Sequence, residues 1–285
     1  MRVLVTGGSG GLGRWVVREF TGHGYEVVNA DRQPPDEAEA LERFLEVDLT
    51  NVEAVADALT GCGAVVHLAA IPAPGGQPDE VVFGNNVLST FVTLQAASQL
   101  GVKQAVVASS TAALGAAFAP KPFGPRYAPI DEDHPLLPHD PYALSKEVGE
   151  RICATFSRRT GMSIFALRFH YIAQPGEAAR RAANFDPFSE AAARDLGGYV
   201  DVRDAAYACR LGVERQGLGS EIVNITAADS LSSLLTRELI RHHYPEVDVR
   251  TPLEGTVSAW SIEKAERLLG YHPRHSWRDE TRFKR

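Results

Sequence analysis

The sequence predicts an α/β fold built on a doubly wound parallel sheet, with a small C-terminal lobe. Two observations predict it. Short apolar runs alternate with helical patterns along most of the chain, and a glycine-rich turn joins the first run to the first helix. "RVLVTG" reads as a buried strand ending in Thr-Gly. "GRWVVREFTGHG" places apolar residues at 15, 16, 17 and 20 and closes with Gly22 and Gly24, a helix with a glycine stop. "YEVVNAD" and "FLEVDL" read as strands, followed by a helix over 52–59. "AVVHLAA" is a strand, "VLSTFVTLQAASQL" a helix and "AVVASS" a strand. A helix over 142–159, a strand "SIFALRF", a helix over 205–214 and a strand "EIVNIT" complete the pattern. Residues 172–198 lack clear periodicity and read as a loop with a short helix. "IPAPGGQP" (71–78) and "APKPFGPRYAP" (119–129) are Pro/Gly-rich loops after strand ends, the edge where open α/β sheets bind ligands.

Composition narrows the function. The 285 residues can bury a full core, and 44% hydrophobic with 23% charged residues is ordinary for a globular chain. A net charge of −7 offers no basic footprint, so nucleic acid is not an expected partner. No apolar run reaches the ~20 residues of a membrane span, and only Arg2 precedes "VLVTG", too little for the charged region of a signal peptide. Cys62, Cys153 and Cys209 lack paired spacing, which fits small buried side chains in a reducing cytoplasm. His242/His243 and His272/His275 lack a metal-ligand pattern, and no metal is expected.

Gly7, Gly10 and Gly13 lie between the first strand and the first helix. That turn lets a pyrophosphate approach backbone N–H groups and lets the helix pack close to the strand. Asp31 closes the second strand. A carboxylate there accepts the adenosine ribose hydroxyls and repels a 2′-phosphate, so NAD is expected ahead of NADP, although Arg14 or Arg32 could meet a phosphate. Farther on, "PHDPYALSK" offers Asp140 as a helix N-cap with Pro141 at the first helical position. Tyr142 and Lys146 then share one helix face. A neighbouring ammonium, with the positive charge of an oxidised nicotinamide, would lower the phenol pKa and make it a base. Asp204 reads as the cap of the helix after it, and Asp131–Asp133 as a solvated acidic loop.

These motifs together resemble the extended short-chain dehydrogenase/reductases, the group of NAD-dependent sugar epimerases and dehydratases. "TGGSGGLG" resembles the TGxxGxxG turn, "HLAA" (67–70) the strand end lining the cofactor and "NNVLST" (85–90) the NNVxGT helix, with Ser89 where Gly is usual. "SSTAALG" (109–115) resembles SSxxVYG, "YALSK" matches YxxSK, "LRFHY" (167–171) resembles LRxxN, and "SIEKAERLLGYHP" (261–273) resembles the family tail. The opening residues look especially like UDP-galactose 4-epimerases.

The resemblance implies a Rossmann fold in which residues 1–168, with 199–226 returning to it, bind the dinucleotide. Residues 169–198 and 227–285 would form the small substrate-binding lobe. It implies Ser110, Tyr142 and Lys146 as catalytic residues: Tyr142 removes a sugar hydroxyl proton, Ser110 hydrogen-bonds that hydroxyl, and Lys146 holds the nicotinamide ribose. It implies Gly7, Gly10, Gly11, Leu12, Gly13, Asp31, Arg32, Asp48, Leu49, Leu68, Ala69, Ala70, Asn85, Ser109, Tyr142, Lys146 and His170 at the cofactor, with Asn86 competing for the place of Asn85. Ser110, Tyr142 and Tyr171 would meet the substrate. His67 reads as a core residue. A homodimer through helices at 86–100 and 142–159 is implied as well.

Two departures bear on the substrate. Tyr171 stands where the family has the Asn of LRxxN. Only about thirty residues separate Arg168 from "GGYVDVRD", with Arg180, Arg181 and Arg194 as the basic residues between. Such a short lobe is similar to that of uronate dehydrogenases, which oxidise a free sugar acid. The leading expectation is epimerase/dehydratase chemistry on a sugar or nucleotide sugar. The alternative is net dehydrogenation of a free sugar or sugar acid. A non-catalytic dinucleotide-binding sensor is a third reading, against which Ser110, Tyr142 and Lys146 argue.

Overall fold

The computed structural model describes residues 1–35 and 43–282. The first part of the chain forms β1 (Arg2–Thr6), α1 (Gly13–Gly22), β2 (Glu26–Asp31), β3 (Arg43–Glu46), α2 (Val52–Leu59), β4 (Ala64–His67) and α3 (Asp79–Gln99). Then come β5 (Gln104–Ser110), the short β6 (Tyr127–Ala128), α4 (Pro141–Thr160) and β7 (Ser163–Phe169). The rest comprises β8 (Ile172–Ala173), α5 (Glu177–Ala183), α6 (Glu190–Asp195), β9 (Val200–Asp201), α7 (Val202–Glu214) and β10 (Ser220–Ile225). α8 (Thr236–His243), β11 (Asp248–Val249), α9 (Glu263–Leu269) and α10 (Trp277–Arg282) end it.

Seven strands make one parallel sheet in the order β3-β2-β1-β4-β5-β7-β10. The direction of winding reverses between β1 and β4, which opens a crevice at their carboxyl ends. The alternation of side chains along β1 explains the two layers of core. Val3 and Val5 face α1 and α7, joining Val16, Phe20, Ala205 and Cys209. Leu4 faces the other way, joining Val55, Leu94, Cys153 and Phe156 from α2, α3 and α4. A third cluster, including Leu239, Ile240, Leu253 and Trp260, holds the C-terminal segments together.

Several boundaries differ from the sequence reading. α3 begins at Asp79, about two turns early, because Pro78 stands at its N-cap and Asp79 and Glu80 complement the helix dipole; Gly84, Asn85 and Asn86 interrupt its apolar pattern. β3 ends at Glu46 rather than running through Leu49. Residues 172–198 hold two short helices, α5 and α6. Asp204 is not the cap of α7. Asp201 is, accepting from the Arg203 N–H at 2.9 Å. Asp204 is buried inside the first turn, where it accepts from the backbone N–H groups of Arg274 and His275 and bonds the His275 ring. The acidic run at 131–133 is not simply solvated either. Glu132 accepts from the Asn224 N–H at 2.6 Å and Asp131 accepts from the Tyr127 hydroxyl.

Candidate active site

A cleft of about 1190 Å³ opens over the carboxyl ends of the strands. Its floor is the glycine turn. Gly7 has φ +71° and donates to the Ala30 carbonyl at 2.9 Å. A Cβ on Gly13 would sit 2.0 Å from the Gly7 oxygen, so the helix could not approach the turn with any larger residue. Leu12 stands at the N-cap of α1 without a side-chain cap, and no acidic residue occupies the first turn. The helix N-terminus is therefore open to an anion. Gly7, Gly10, Gly11, Leu12 and Gly13 all line the cleft.

Beyond the turn, Asp31 ends β2. Its two oxygens accept from Ser9 N–H at 3.1 Å and Arg32 N–H at 2.7 Å, and each keeps acceptor capacity toward the cleft. Arg32, Asp48 and Leu49 line the same end, and hydrogen bonds from Thr50 hold the Asp48 carboxyl below its usual range. Leu68, Ala69 and Ala70 form the wall beyond β4. Asn85 lines the cleft, whereas the buried Asn86 is consumed by Ile71, accepting from its N–H at 2.8 Å and donating to its carbonyl at 3.0 Å. The cleft fits a dinucleotide: a glycine-rich diphosphate cradle, and a carboxylate at one end for ribose hydroxyls.

Ser110, Tyr142 and Lys146 gather at the other end. Ser110 is the last residue of β5, and Tyr142 and Lys146 lie one turn apart on α4. Asp140 accepts from the Ala143 N–H at 2.8 Å and Pro141 takes the first helical position, so the helix starts where the sequence places it. The Ser110 Oγ accepts from the Ala112 N–H at 3.1 Å, and its hydroxyl neighbours the Tyr142 side chain. Lys146 Nζ donates to the Ala108 carbonyl at 2.8 Å and stands 5.5 Å from the Tyr142 ring centroid. Burial pushes the Lys146 ammonium down to about 8, with the Glu150 charge pulling it back. The phenol departs from expectation. Burial pushes the Tyr142 pKa up, the neighbouring Ser110 hydroxyl lowers it, and the Asp140 charge raises it. In the protein by itself the desolvation of a phenolate outweighs any help from Lys146.

Ser109 lines the cleft but turns its hydroxyl to Glu150, at 2.7 Å. Glu150 also takes a two-pronged pair from Arg168, at 2.7 and 2.8 Å, so Arg168 is locked in the core. His170 lines the cleft and accepts from the Tyr171 N–H at Nδ1, 2.7 Å away. His67 stays in the core against Thr6, 2.8 Å, and Thr90, 3.3 Å.

The chain matches the model of the NAD dependent epimerase/dehydratase family over residues 3–226. It belongs to that family. A UDP-glucose 4-epimerase from Bacillus subtilis is 34% identical over 166 residues, covering 53% of this chain and 47% of that one. The chain spans about half the length of the UDP-glucose 4-epimerases it matches first. An NAD-dependent glucose-6-phosphate dehydrogenase from Haloferax volcanii is 30% identical over 183 residues, 60% of this chain and 69% of that one. Among solved structures, a mutated uronate dehydrogenase shares the fold with TM-score 0.69 and 24% identity, over 99% of this chain and 86% of that chain.

Apart from Tyr171, at the last position of the LRxxN-like segment, family motifs do not point to the far wall of the cleft. It comprises Phe118, Tyr171, Gln174, Arg181, Arg194, Asp195 and Trp260. Arg181 bonds Asp195 at 2.9 Å and lies 4.1 Å from the Tyr171 ring. Arg194 donates to the carbonyls of Ala116 and Ala119. Phe118 meets the Tyr142 ring edge-on at 6.1 Å. Among these wall residues the sequence signals Tyr171 and the two arginines. Phe118 and Trp260 arrive from loops that carry no motif. Among the described residues no group of three His, Cys, Asp or Glu side chains is placed to hold a metal. Among the same residues no helix is long and apolar enough to cross a membrane.

Proposed function

We propose that this chain is an NAD-dependent oxidoreductase or isomerase of the epimerase/dehydratase type, acting on a sugar or nucleotide sugar. The observation that carries this reading is the meeting of Ser110, Tyr142 and Lys146 at one end of a cleft whose other end holds the glycine turn and Asp31. Bound NAD supplies the acceptor and donor of hydride. The protein does the rest. Asp31 takes the adenosine ribose, which favours NAD over NADP. Lys146 holds the nicotinamide ribose. Ser110 orients the substrate hydroxyl and Tyr142 moves its proton. Since burial keeps Tyr142 protonated, the positive charge of the oxidised nicotinamide is what turns the phenol into a base. Residues 169–198 and 227–285 act as the substrate lobe. The free cysteines suit a cytoplasmic setting. A homodimer forms through α3 and α4.

A second reading, net dehydrogenation of a free sugar or sugar acid, draws on Arg181 and Arg194 at the far wall and on the sugar-phosphate dehydrogenase relative. One experiment separates the two. Small molecules released by denaturing fresh protein are identified by mass spectrometry, and sugars, uronic acids and nucleotide sugars are then assayed with added NAD. Near-equimolar NAD and interconversion of epimers support the first reading. Empty protein that reduces added NAD supports the second. On the substrate so found, Tyr142→Phe lowers kcat by about 100-fold or more, with NAD affinity nearly unchanged. Full activity in that variant overturns the role of Tyr142.

A further inference from the structure

The segment after β7 reaches back over the glycine turn. Gln174, next to β8, donates from Nε2 to the Gly11 carbonyl at 3.2 Å and accepts the Trp15 indole N–H at 3.0 Å. An indole N–H only donates, so it fixes the amide with Oε1 toward Trp15 and the NH₂ toward the turn. The Gln174 backbone N–H is held by Glu177 at 2.8 Å, and the other oxygen of Glu177 takes the Tyr171 hydroxyl. A continuous run of bonds therefore joins the cofactor cradle to the substrate end. A Cβ on Gly11 would stand 3.7 Å from Gln174 Nε2, an ordinary contact distance.

We infer that Gln174 is a positioning residue that clasps the cofactor cradle and sets how fast NAD leaves. The inference rests on the cofactor reading proposed above. Gly11 and Gln174 both line the cleft, one on the floor and one on the opposing segment. The bond between them closes the gap between turn and lobe, and release of a dinucleotide has to break it. One N–H of the amide binds Gly11, and the other is a donor for an anion on the turn. A slow release holds the cofactor through an oxidation and its reversal, which an epimerase-like cycle needs. A net dehydrogenase needs the opposite, so this contact bears on which of the two cycles the chain runs.

The test is the dissociation rate of NADH from the full chain, followed by stopped-flow fluorescence with excess NAD as displacer. Gln174→Ala raises the rate up to about fivefold, the worth of one hydrogen bond at the exposed mouth of the cleft. Gln174→Glu, which keeps the length but donates nothing to Gly11, raises it at least as much. Trp15→Phe keeps the ring and removes only the N–H that orients the amide, and it raises the rate by a smaller factor. In the double variant Trp15→Phe adds nothing to Gln174→Ala, because both act through one amide. A general loss of packing would lower the melting temperature without this pattern of rates. Should Gln174→Ala fail to fold, Trp15→Phe decides alone. Wild-type binding with unchanged release in the folded variants overturns the clasp and leaves the cofactor reading standing. A wild type that binds no NADH overturns both.

Discussion

Burial rather than chemistry governs the two histidines closest to the cofactor strands. His67 and His170 are both buried, and desolvation of the imidazolium pushes each down to about 3. A histidine depressed in the folded state takes up its proton in the unfolded chain first. Between pH 6.5 and 3 the unfolded state binds more protons, so stability falls as the pH drops through that window. Each unit costs about 1.4 kcal/mol per histidine. Urea unfolding at pH 6.5 and pH 5 should therefore differ by roughly 2 kcal/mol for each histidine. His170→Asn should make the loss shallower by one histidine's share, and an unchanged slope would show that His170 is not the titrating group. At this scale the sequence was informative where a residue sits in a motif: Gly7, Asp31, Ser110, Tyr142 and Lys146 all line the cleft. It misled where a side chain's partner is distant in the chain. Asp204 binds residues 70 positions away and Glu132 binds Asn224. No local pattern encodes such a pairing.

Among the elements, the start of α4 was legible because two signals agreed, Asp140 and Pro141. Asp140 caps it, Pro141 opens it, and Gly161 closes it with φ +70°. Its start matters to the proposed function because Tyr142 sits in the first turn. Asp140→Ala removes the acceptor of the Ala143 N–H and should cost about 1 kcal/mol of stability. Fraying of that turn also moves the phenol, so kcat should drop several-fold while NAD affinity holds. Asp140→Asn retains the acceptor and should keep most of both. Melting temperatures and initial rates for the pair decide it. If Ala and Asn behave alike, the cap does not position Tyr142. The start of α3 and the helices α5 and α6 were less legible, for a physical reason. Asn85 and Asn86 lie inside α3 for their cleft-side and loop bonds, and α5 and α6 are too short to show a period of 3.6.

For the whole molecule, the proposed cofactor half of the cleft comes from contiguous motifs, while the proposed substrate half is assembled from residues 118, 171–195 and 260. That is why the sequence points to a dinucleotide but leaves the sugar open. The same two helices that frame the end holding Tyr142 and Lys146 also present an apolar surface. Leu88 and Phe91 on α3 are 47% and 42% exposed, and Leu144 on α4 is 41% exposed. Leu88 and Phe91 lie three apart on one helix face, and Leu144 lies two residues from Tyr142. A monomer leaves such a face in water at a cost of ~25 cal/mol for each Å² of apolar area. A two-fold partner removes it, with each copy covering the other's face. The proposed dimer should therefore appear as a sedimentation coefficient for two chains at micromolar concentration. Leu88→Asp places a charge in the centre of the contact and should return the protein to one chain without unfolding it, since Leu88 contributes to neither core layer. A wild type that sediments as a monomer, or a Leu88→Asp variant that stays dimeric, rules this face out. If the dimer holds, loss of it should loosen α4 and lower kcat, because Tyr142 and Lys146 ride on the helix that the partner braces.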